Sequence, residues 1–186
     1  MTTTNPEFVV TTHRFSAADY HAMKDAGILE AQRVELLNGK IVDMSPIKSV
    51  HAGVVNRLNH LRSQWLPEDY ILSVQNPVSL GAFSEPEPDL AVLQYRDDFY
   101  RNSHPTSDET LLIIEVAETS LEKDRAVKLP IYAEHRIPEV IIINLKEEQT
   151  EHYYQPVDGR YEVKQVLSFG ALIGEGMLKG QILPVY

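Results

Sequence analysis

The sequence predicts an α/β (α+β) fold in which one mixed β-sheet is flanked by helices. Four segments carry apolar runs typical of strands: YILSVQNPVSL, PDLAVLQY, TLLIIEVAE and EVIIINL. Residues 50–66 have helical apolar spacing ahead of the first of these strands. Residues 120–136 are predicted to form a helix between the third and the fourth. This order of helices and strands is typical of a single mixed sheet with helices packed on it.

Additional elements are predicted at both ends of the chain. Ser16 is a favourable N-cap for a short helix over about 17–26, which Gly27 stops. Asn38-Gly39 joins two apolar runs and predicts an N-terminal hairpin. The segments QTEHYYQP, GRYEVKQVLS and QILPVY alternate like the strands of a C-terminal meander. The chain is predicted to be a single domain over 1–186, in which residues 1–14 are loosely held.

A proline lies within or just after each of the two longer predicted helices. Pro67 is expected to end the first of them, and Pro130 is expected to kink the second or to mark a boundary within it.

Composition limits the chemistry that the chain can perform. It contains no cysteine, which excludes thiol catalysis, disulfides and thiolate metal sites. No apolar run reaches the roughly 18 residues of a membrane span, and the first residues lack the pattern of a secretory signal, so we expect a cytoplasmic protein. The formal net charge is −10, from 17 Lys and Arg against 27 Asp and Glu. This disfavours broad electrostatic binding to DNA, but a local basic groove or a metal ion could still provide positive charge.

Two carboxylates occupy unusual places on neighbouring predicted strands. Asp89 lies between the polar loop SEPEP and an apolar strand. Glu115 interrupts the apolar run LLIIEVA. If these strands pair antiparallel, the start of one faces the end of the other, and the two acids meet. Two such carboxylates share a proton, pair with a cation or bind a metal. Oxygen ligands favour Mg²⁺ or Mn²⁺.

The helix after Glu115 offers a cation for this pair. Asp124, Lys128 and Tyr132 lie on one face at i, i+4, i+8 spacing. A lysine that reaches the strand ends would complete an acid–acid–lysine cluster. Such a cluster suits phosphodiester hydrolysis, in which lysine stabilises charge that develops in the transition state.

These residues resemble the PD-(D/E)XK nuclease superfamily, and more closely the Uma-two family of restriction-endonuclease-like proteins. The resemblance spans about residues 15–186 and is carried by the order and spacing of several motifs, each weak alone. They are VELLNGKI (34–41), His51, PDLAVL (88–93), EVAETS (115–120), Asp124, Lys128, Tyr132 and PEVIIIN (138–144).

The resemblance implies a restriction-endonuclease-like fold and a Mg²⁺- or Mn²⁺-dependent nuclease that cleaves DNA. It implies Asp89 and Glu115 as metal ligands, with the backbone carbonyl of Val116 as a third. It also implies a supporting carboxylate from Glu35 and a histidine, His51, beside the active site. Nucleases of this class often pair to cut two strands, so we expect a homodimer formed through exposed strands of the C-terminal meander.

The sequence departs from the superfamily pattern at one position. The pattern has a lysine two residues after the second acid, but this sequence has Ala117 at that position. The resemblance points to a lysine displaced to the following helix, with Lys128 as first choice and Lys123 as second.

Ordinary structural roles remain open for each of these residues. Asp89 could bind loop amides, Glu35 could be a solvated hairpin residue, and His51 could be a satisfied core histidine. Lys128 could be a surface partner of Asp124, and Tyr132 could serve only in packing. Two other functions also stay open: a catalytically degenerate, nuclease-like binding or assembly module, and a metal-dependent hydrolase of a small phosphate compound.

Overall fold

A computed structural model describes residues 12–30 and 32–186. Of the segment 1–14 that was predicted to be loosely held, residues 1–11 lie outside the described residues. The helices are α1 (Ala17–Asp25), α2 (Ser49–His60), α3 (Leu121–Lys123) and α4 (Leu129–Glu134), with a π-helical segment at Asp124–Lys128. The strands are β1 (Val34–Leu37), β2 (Lys40–Asp43), β3 (Tyr70–Val74), β4 (Leu90–Gln94), β5 (Thr110–Ala117), β6 (Glu139–Asn144), β7 (Gln149–Val157) and β8 (Arg160–Ser168).

The central element is a six-stranded mixed sheet in the order β3-β4-β5-β6-β7-β8. Only β5 and β6 run parallel, and every other neighbouring pair is antiparallel. The predicted fold class is confirmed. The helical segment 121–134 lies in the crossover that joins the two parallel strands, as a parallel connection requires.

The N-terminal helix and hairpin form as predicted because their local signals are strong. Ser16 Oγ accepts a hydrogen bond from the Asp19 backbone N–H, and Asp19 accepts one from the Ser16 backbone, which is a complete capping box. Strands β1 and β2 form a separate two-stranded sheet. Asn38 and Gly39 both adopt positive φ, as a tight two-residue hairpin turn requires.

The main sheet is buried on both faces by different elements. Helix α2 packs Val54, Val55 and Leu58 on one face, together with apolar side chains of the C-terminal segment. Ile131 and Tyr132 of α4 pack on the other face, with alternate residues of β4, β5 and β6. Because a strand presents successive residues to opposite faces, Glu115 shares the α4 face with Ile113 and Ala117.

The helical segment 121–134 is continuous but changes its hydrogen-bonding pattern. The Leu129 N–H donates to the Asp124 carbonyl, five residues earlier, which is the π-helical spacing. Pro130 follows at once, in the first turn of α4, where a missing N–H is tolerated. The predicted boundary at Pro130 therefore takes the form of a π-helical segment.

Three predicted elements are shorter than expected or absent. Helix α2 ends at His60, and a short 3₁₀ turn at Arg62–Gln64 brings Trp65 into the core, where its indole N–H binds the Leu58 carbonyl. Strand β3 ends at Val74, because Gln75 adopts positive φ. QILPVY was predicted to be a strand, and that prediction is wrong: residues 181–186 form no strand. Its alternation reflects Leu183 and Val185, which pack against the sheet as a covering segment.

The C-terminal segment is held to the sheet by a buried carboxylate. Glu139 accepts a hydrogen bond from the Met177 backbone N–H at 2.6 Å, and the other carboxylate oxygen lies 3.0 Å from His152 Nε2. Among residues 12–30 and 32–186, no helix has both the length and the apolar composition that a bilayer crossing requires.

Candidate active site

Asp89 and Glu115 lie at the same end of the sheet. Strands β4 and β5 pair antiparallel with Leu90 opposite Ile114. Asp89 directly precedes Leu90 and Glu115 directly follows Ile114, so they occupy the next pair of positions. Directly opposed residues of an antiparallel pair point to the same face, with Cβ atoms about 5 Å apart. The predicted antiparallel arrangement of these strands is therefore confirmed.

Asp89 is held by neighbours from three segments. One carboxylate oxygen accepts the Val116 backbone N–H at 2.8 Å. The other lies 2.8 Å from His51 Nε2 and accepts a hydrogen bond from Gln75 Nε2 at 3.3 Å. The hydrogen bond to Asp89 raises the pKa of His51 despite its burial, and the Val116 backbone adds to that shift. His51 therefore contacts the candidate site itself, at the start of α2.

Glu115 is buried and receives two hydrogen bonds on a single oxygen. Lys128 Nζ lies 3.1 Å from Glu115 Oε1, and the Tyr132 hydroxyl donates to the same oxygen at 2.6 Å. Burial raises the pKa of Glu115 to about 8, although the Lys128 ammonium opposes that rise. The nearby carboxylates of Asp124 and Asp89 contribute to the increase. Tyr132 thus has a polar contact with Glu115 as well as its packing role.

Lys128 is the cation at the centre of the cluster. Its side chain is 4% exposed, and Nζ lies 3.2 Å from Glu35 Oε2 as well as close to Glu115. Burial alone would lower the pKa of Lys128, but the carboxylates of Glu115 and Glu35 outweigh it and raise the pKa above its ordinary value. Lys128 is therefore protonated at any physiological pH, and it is not a surface residue.

Glu35 is fully buried and joins the same cluster from the N-terminal hairpin. Lys123 Nζ lies 2.9 Å from one of its oxygens, and the Glu87 backbone N–H donates to the other at 3.2 Å. Burial opposes ionisation of Glu35, yet Lys128 and Lys123 lower its pKa overall. The alternative that Glu35 is a solvated hairpin residue is therefore excluded. Alternation along β1 does not expose Glu35 because all four residues of the strand are buried.

Two further acids lie at the site and were not singled out as site residues from the sequence. Asp124 is buried in the π-helical segment and accepts a hydrogen bond from Ser120 Oγ at 2.6 Å, and burial raises its pKa. Glu87 is half-buried, its backbone carbonyl accepts from Lys128 Nζ at 3.4 Å, and burial raises its pKa as well. The sequence offered one indication for Glu87. It lies two residues before Asp89, the spacing at which side chains of an extended segment point to the same side.

The lysine beside Glu115 comes from the helical segment and not from position 117. Ala117 is fully buried on the same face as Glu115 and packs in the cluster that contains Tyr132. A lysine at 117 would occupy the region that α4 fills. Lys128 instead approaches Glu115 from the helical segment, and Lys123 from the same segment binds Glu35. The two lysines considered from the sequence are therefore both present in one cluster.

A cavity opens over these groups. Its interior holds about 60 Å³, and residues from the segments 44–48 and 118–124 contribute to its lining. Lys48 Nζ and Glu118 Oε1, 3.0 Å apart, join these two segments. The polar and charged residues that line it are Arg33, Ser45, Lys48, His51, Gln75, Glu87, Asp89, Glu115, Glu118, Thr119, Ser120, Lys123, Asp124 and Lys128.

The donor set fits a hard divalent cation that keeps part of its water shell. Carboxylate and carbonyl oxygens are the ligands that Mg²⁺ and Mn²⁺ prefer, and Mg²⁺ is often bound by only one or two carboxylates. Within the described residues, no group of three or more His, Asp or Glu side chains is close enough to form a complete cage. Two carboxylates with one backbone carbonyl, completed by water, would be sufficient.

The mixed sheet, with an acid–lysine cluster at the ends of strands β4 and β5, has the architecture of a nuclease-like fold. The chain belongs to the Uma2 family, whose model carries the description "Putative restriction endonuclease" and matches residues 17–185. A crystal structure described as "a putative nuclease belonging to DUF820" from Anabaena variabilis is similar, with a TM-score of 0.57 and 15% sequence identity. The similarity covers 76% of this chain and 80% of that one, and it concerns the fold. No curated protein matches the sequence.

Proposed function

We propose that this protein is a Mg²⁺- or Mn²⁺-dependent nuclease that hydrolyses DNA phosphodiester bonds. The observation that supports it is an excess of acid in the site. Six carboxylates lie in or beside the cavity against four Lys and Arg side chains: Glu35, Glu87, Asp89, Glu115, Glu118 and Asp124 against Arg33, Lys48, Lys123 and Lys128. Burial makes an uncompensated charge costly, so a cluster with this imbalance favours binding of a cation.

Asp89, Glu115 and the Val116 carbonyl would hold the metal. When bound, such an ion activates water and polarises the phosphate. His51 and the Val116 N–H fix the orientation of Asp89 by hydrogen bonds at 2.8 Å each, so its carboxylate is held in place before substrate arrives.

Lys128 would assist at the phosphate. Its pKa is raised, so it carries a fixed positive charge in a buried position, where electrostatic stabilisation is stronger than in water. Glu35 and Lys123 would act as positioning residues, because Glu35 pairs with Lys128 as well as with Lys123. Tyr132 holds Glu115 by a hydrogen bond at 2.6 Å.

A catalytically degenerate binding or assembly module is the second candidate. The favouring observation is that Glu115 already has two partners on one oxygen, and that burial raises its pKa to about 8, which lowers the cost of keeping it without a metal ion. A cluster satisfied in this way can persist without metal. Ala117 at the superfamily lysine position is consistent with either function.

A matched pair of variants separates these functions. Asp89 and Asp97 flank β4 at opposite ends, and Asp97 is exposed. Purified wild type, Asp89→Ala and Asp97→Ala would be incubated with Mg²⁺ or Mn²⁺ and with linear, supercoiled and single-stranded DNA. We expect Asp89→Ala to lose about 100-fold or more in rate and Asp97→Ala to retain the wild-type rate.

Three results would contradict the proposal in different ways. Cleavage that survives Asp89→Ala would place the activity at another site. Hydrolysis of a small phosphodiester without cleavage of any DNA would favour a hydrolase of small phosphate compounds. No metal-dependent hydrolysis by the wild type would favour the degenerate module.

DNA as partner and a homodimer as assembly belong to the same proposal. Strand β8 forms one edge of the main sheet, and residues along its length are alternately exposed. An exposed edge strand offers unpaired backbone groups to a second copy. Sedimentation equilibrium of the full chain would test this, and a monomer at all accessible concentrations would contradict it.

A further inference from the structure

Gln75 follows the last residue of β3 and lies in the same row across the sheet as the two paired acids. Val74 pairs with Leu90 of β4, and the Gln75 backbone N–H donates to the Asp89 carbonyl at 3.0 Å. Gln75 is therefore opposite Asp89 on one side of β4, as Glu115 is on the other. The half-buried Gln75 side chain lines the cavity that both acids line.

The backbone of Gln75 adopts a conformation that L-residues other than glycine adopt rarely. Its φ is +51°, in the left-handed region. Of the non-glycine residues with positive φ in the described ranges 12–30 and 32–186, Gln75 is the one that lines this cavity. Side chains held on such a backbone cluster at functional sites. Here the side chain donates from Nε2 to Asp89 Oδ1 at 3.3 Å.

The two oxygens of Asp89 differ in how many donors they contact. Oδ1 lies 3.3 Å from Gln75 Nε2 and 2.8 Å from His51 Nε2, and an ionised carboxylate accepts from both. Oδ2 accepts the Val116 backbone N–H at 2.8 Å. Each carboxylate oxygen has two acceptor positions. Within the part of the chain that the structure describes, Oδ1 is therefore fully occupied, and Oδ2 keeps one position open.

This occupancy limits how a cation can bind Asp89. Binding through both oxygens needs an open position on each, and the Gln75 amide takes the last one on Oδ1. Ca²⁺ takes about six to eight oxygen ligands and often binds a carboxylate through both oxygens. Mg²⁺ demands octahedral geometry and keeps several waters beside one or two carboxylates. An Asp89 that offers a single oxygen therefore favours Mg²⁺.

We infer that Gln75 determines the metal specificity of this site, because it occupies the Asp89 oxygen that Ca²⁺ would use in addition to Oδ2. Its amide is neutral, so it donates to the carboxylate without adding a positive charge that would repel the ion. The inference rests on the proposed nuclease function, since that function places a divalent cation on Asp89.

Two substitutions remove this hydrogen bond in different ways. Gln75→Gly deletes the side chain and suits the left-handed backbone, so its thermal unfolding midpoint should stay within about 4 °C of wild type. Gln75→Asn keeps an amide but is shorter by a methylene, which withdraws the amide from Asp89. The matched control is Gln155→Gly, since Gln155 is exposed, has a φ of +60° and does not line the cavity.

The test measures the preference of the full-length chain for Mg²⁺ over Ca²⁺. Mn²⁺ is bound first, and its displacement by either ion is followed by electron paramagnetic resonance of free Mn²⁺. We expect Gln75→Gly and Gln75→Asn each to shift the ratio of the two dissociation constants toward Ca²⁺ by about ten-fold, a usual effect of losing a partner of a metal ligand. Gln155→Gly should keep the wild-type ratio. A purely structural role for Gln75 would weaken binding of both ions together and leave the ratio unchanged.

The outcomes separate this inference from the proposed function. An unchanged ratio in both Gln75 variants, or the same shift in Gln155→Gly, overturns the inference and leaves the metal site. If Gln75→Gly does not fold, Gln75→Asn decides alone. Absence of Mn²⁺ binding by the wild type overturns the proposed function, and the inference with it.

Discussion

Lys128 Nζ lies 3.1 Å from Glu115 Oε1 and 3.2 Å from Glu35 Oε2, so one buried ammonium pairs with two buried carboxylates. Glu35 comes from the N-terminal hairpin, Glu115 from the central strand β5 and Lys128 from the helical crossover. The cluster therefore ties three parts of the fold together at the place where the candidate site forms. Its structural contribution can be measured without any assay of activity.

Lys128→Met should destabilise the protein strongly. The variant keeps the length and apolar stem of the side chain but leaves Glu35 without one of its two cations. We expect the free energy of unfolding to fall by about 3 kcal/mol, since breaking a buried pair leaves an uncompensated charge. Urea denaturation, followed by fluorescence of the buried Trp65, measures the change. Trp65 is the only tryptophan in the sequence, so the signal has one source.

Lys179→Met is the control for that experiment. Lys179 pairs with Glu175 on the surface at 3.4 Å, and both side chains are more than half exposed. Exposed pairs of this kind contribute about 0.5 kcal/mol or less. Equal losses in the two variants would show that Lys128 is not held as a buried ion pair.

Glu151→Gln should change the acid stability of the fold. Arg125 of the π-helical segment, Tyr153 and Lys164 all bind the Glu151 carboxylate, which is 1% exposed. Burial alone would raise the pKa of Glu151, but these hydrogen bonds lower it to about 2, below its ordinary 4.5. The carboxylate therefore contributes stability that is fully present above pH 4.5 and is lost as the pH falls through 2.

We expect Glu151→Gln to be about 2 kcal/mol less stable than wild type at neutral pH, and the gap to narrow toward pH 2. Thermal unfolding across this range gives the profile. Glu175→Gln is the control, because Glu175 is exposed and its pair with Lys179 is weak. A gap between Glu151→Gln and wild type that stays constant with pH would contradict the assigned ion pairs.

Gly176→Ala tests how the C-terminal segment is held. Gly176 has a φ of +80°, and an added Cβ would clash with Glu139 Oε2, the oxygen that contacts His152. Gly180 has the same φ of +80° with no atom within 4 Å, so Gly180→Ala measures backbone strain alone. We expect about 1 kcal/mol for Gly180→Ala and at least twice that for Gly176→Ala. Similar losses by denaturation would show that Glu139 does not restrain this segment.

Local signals account for the parts of the fold that were predicted correctly. The capping box at Ser16 and Asp19 and the turn at Asn38 and Gly39 act over a few residues, so they are visible in the sequence. The wrong prediction of a strand at 181–186 also relied on a local pattern. Leu183 and Val185 alternate like a strand, but their burial comes from packing on the sheet and not from strand pairing.

The candidate site was only partly predictable, because its contacts span long distances in sequence. Asp89 and Glu115 could be placed together, since adjacent strands commonly pair. The burial of Glu35 could not be predicted from the alternation of residues along β1, because its partner Lys123 lies 88 residues later in the sequence. The burial of Asp124 depends on the π-helical segment, for which the sequence offers Pro130 as the only local indication. Nothing local distinguishes these residues from solvated acids.

Calorimetric titration of the full chain with Mn²⁺ tests the central claim most directly, because it requires no knowledge of substrate. Wild type and the control Asp97→Ala are expected to bind the ion, and Asp89→Ala is expected to lose binding. Absence of binding by the wild type, or equal binding by Asp89→Ala, would contradict the claim that a divalent cation balances the paired carboxylates of Asp89 and Glu115.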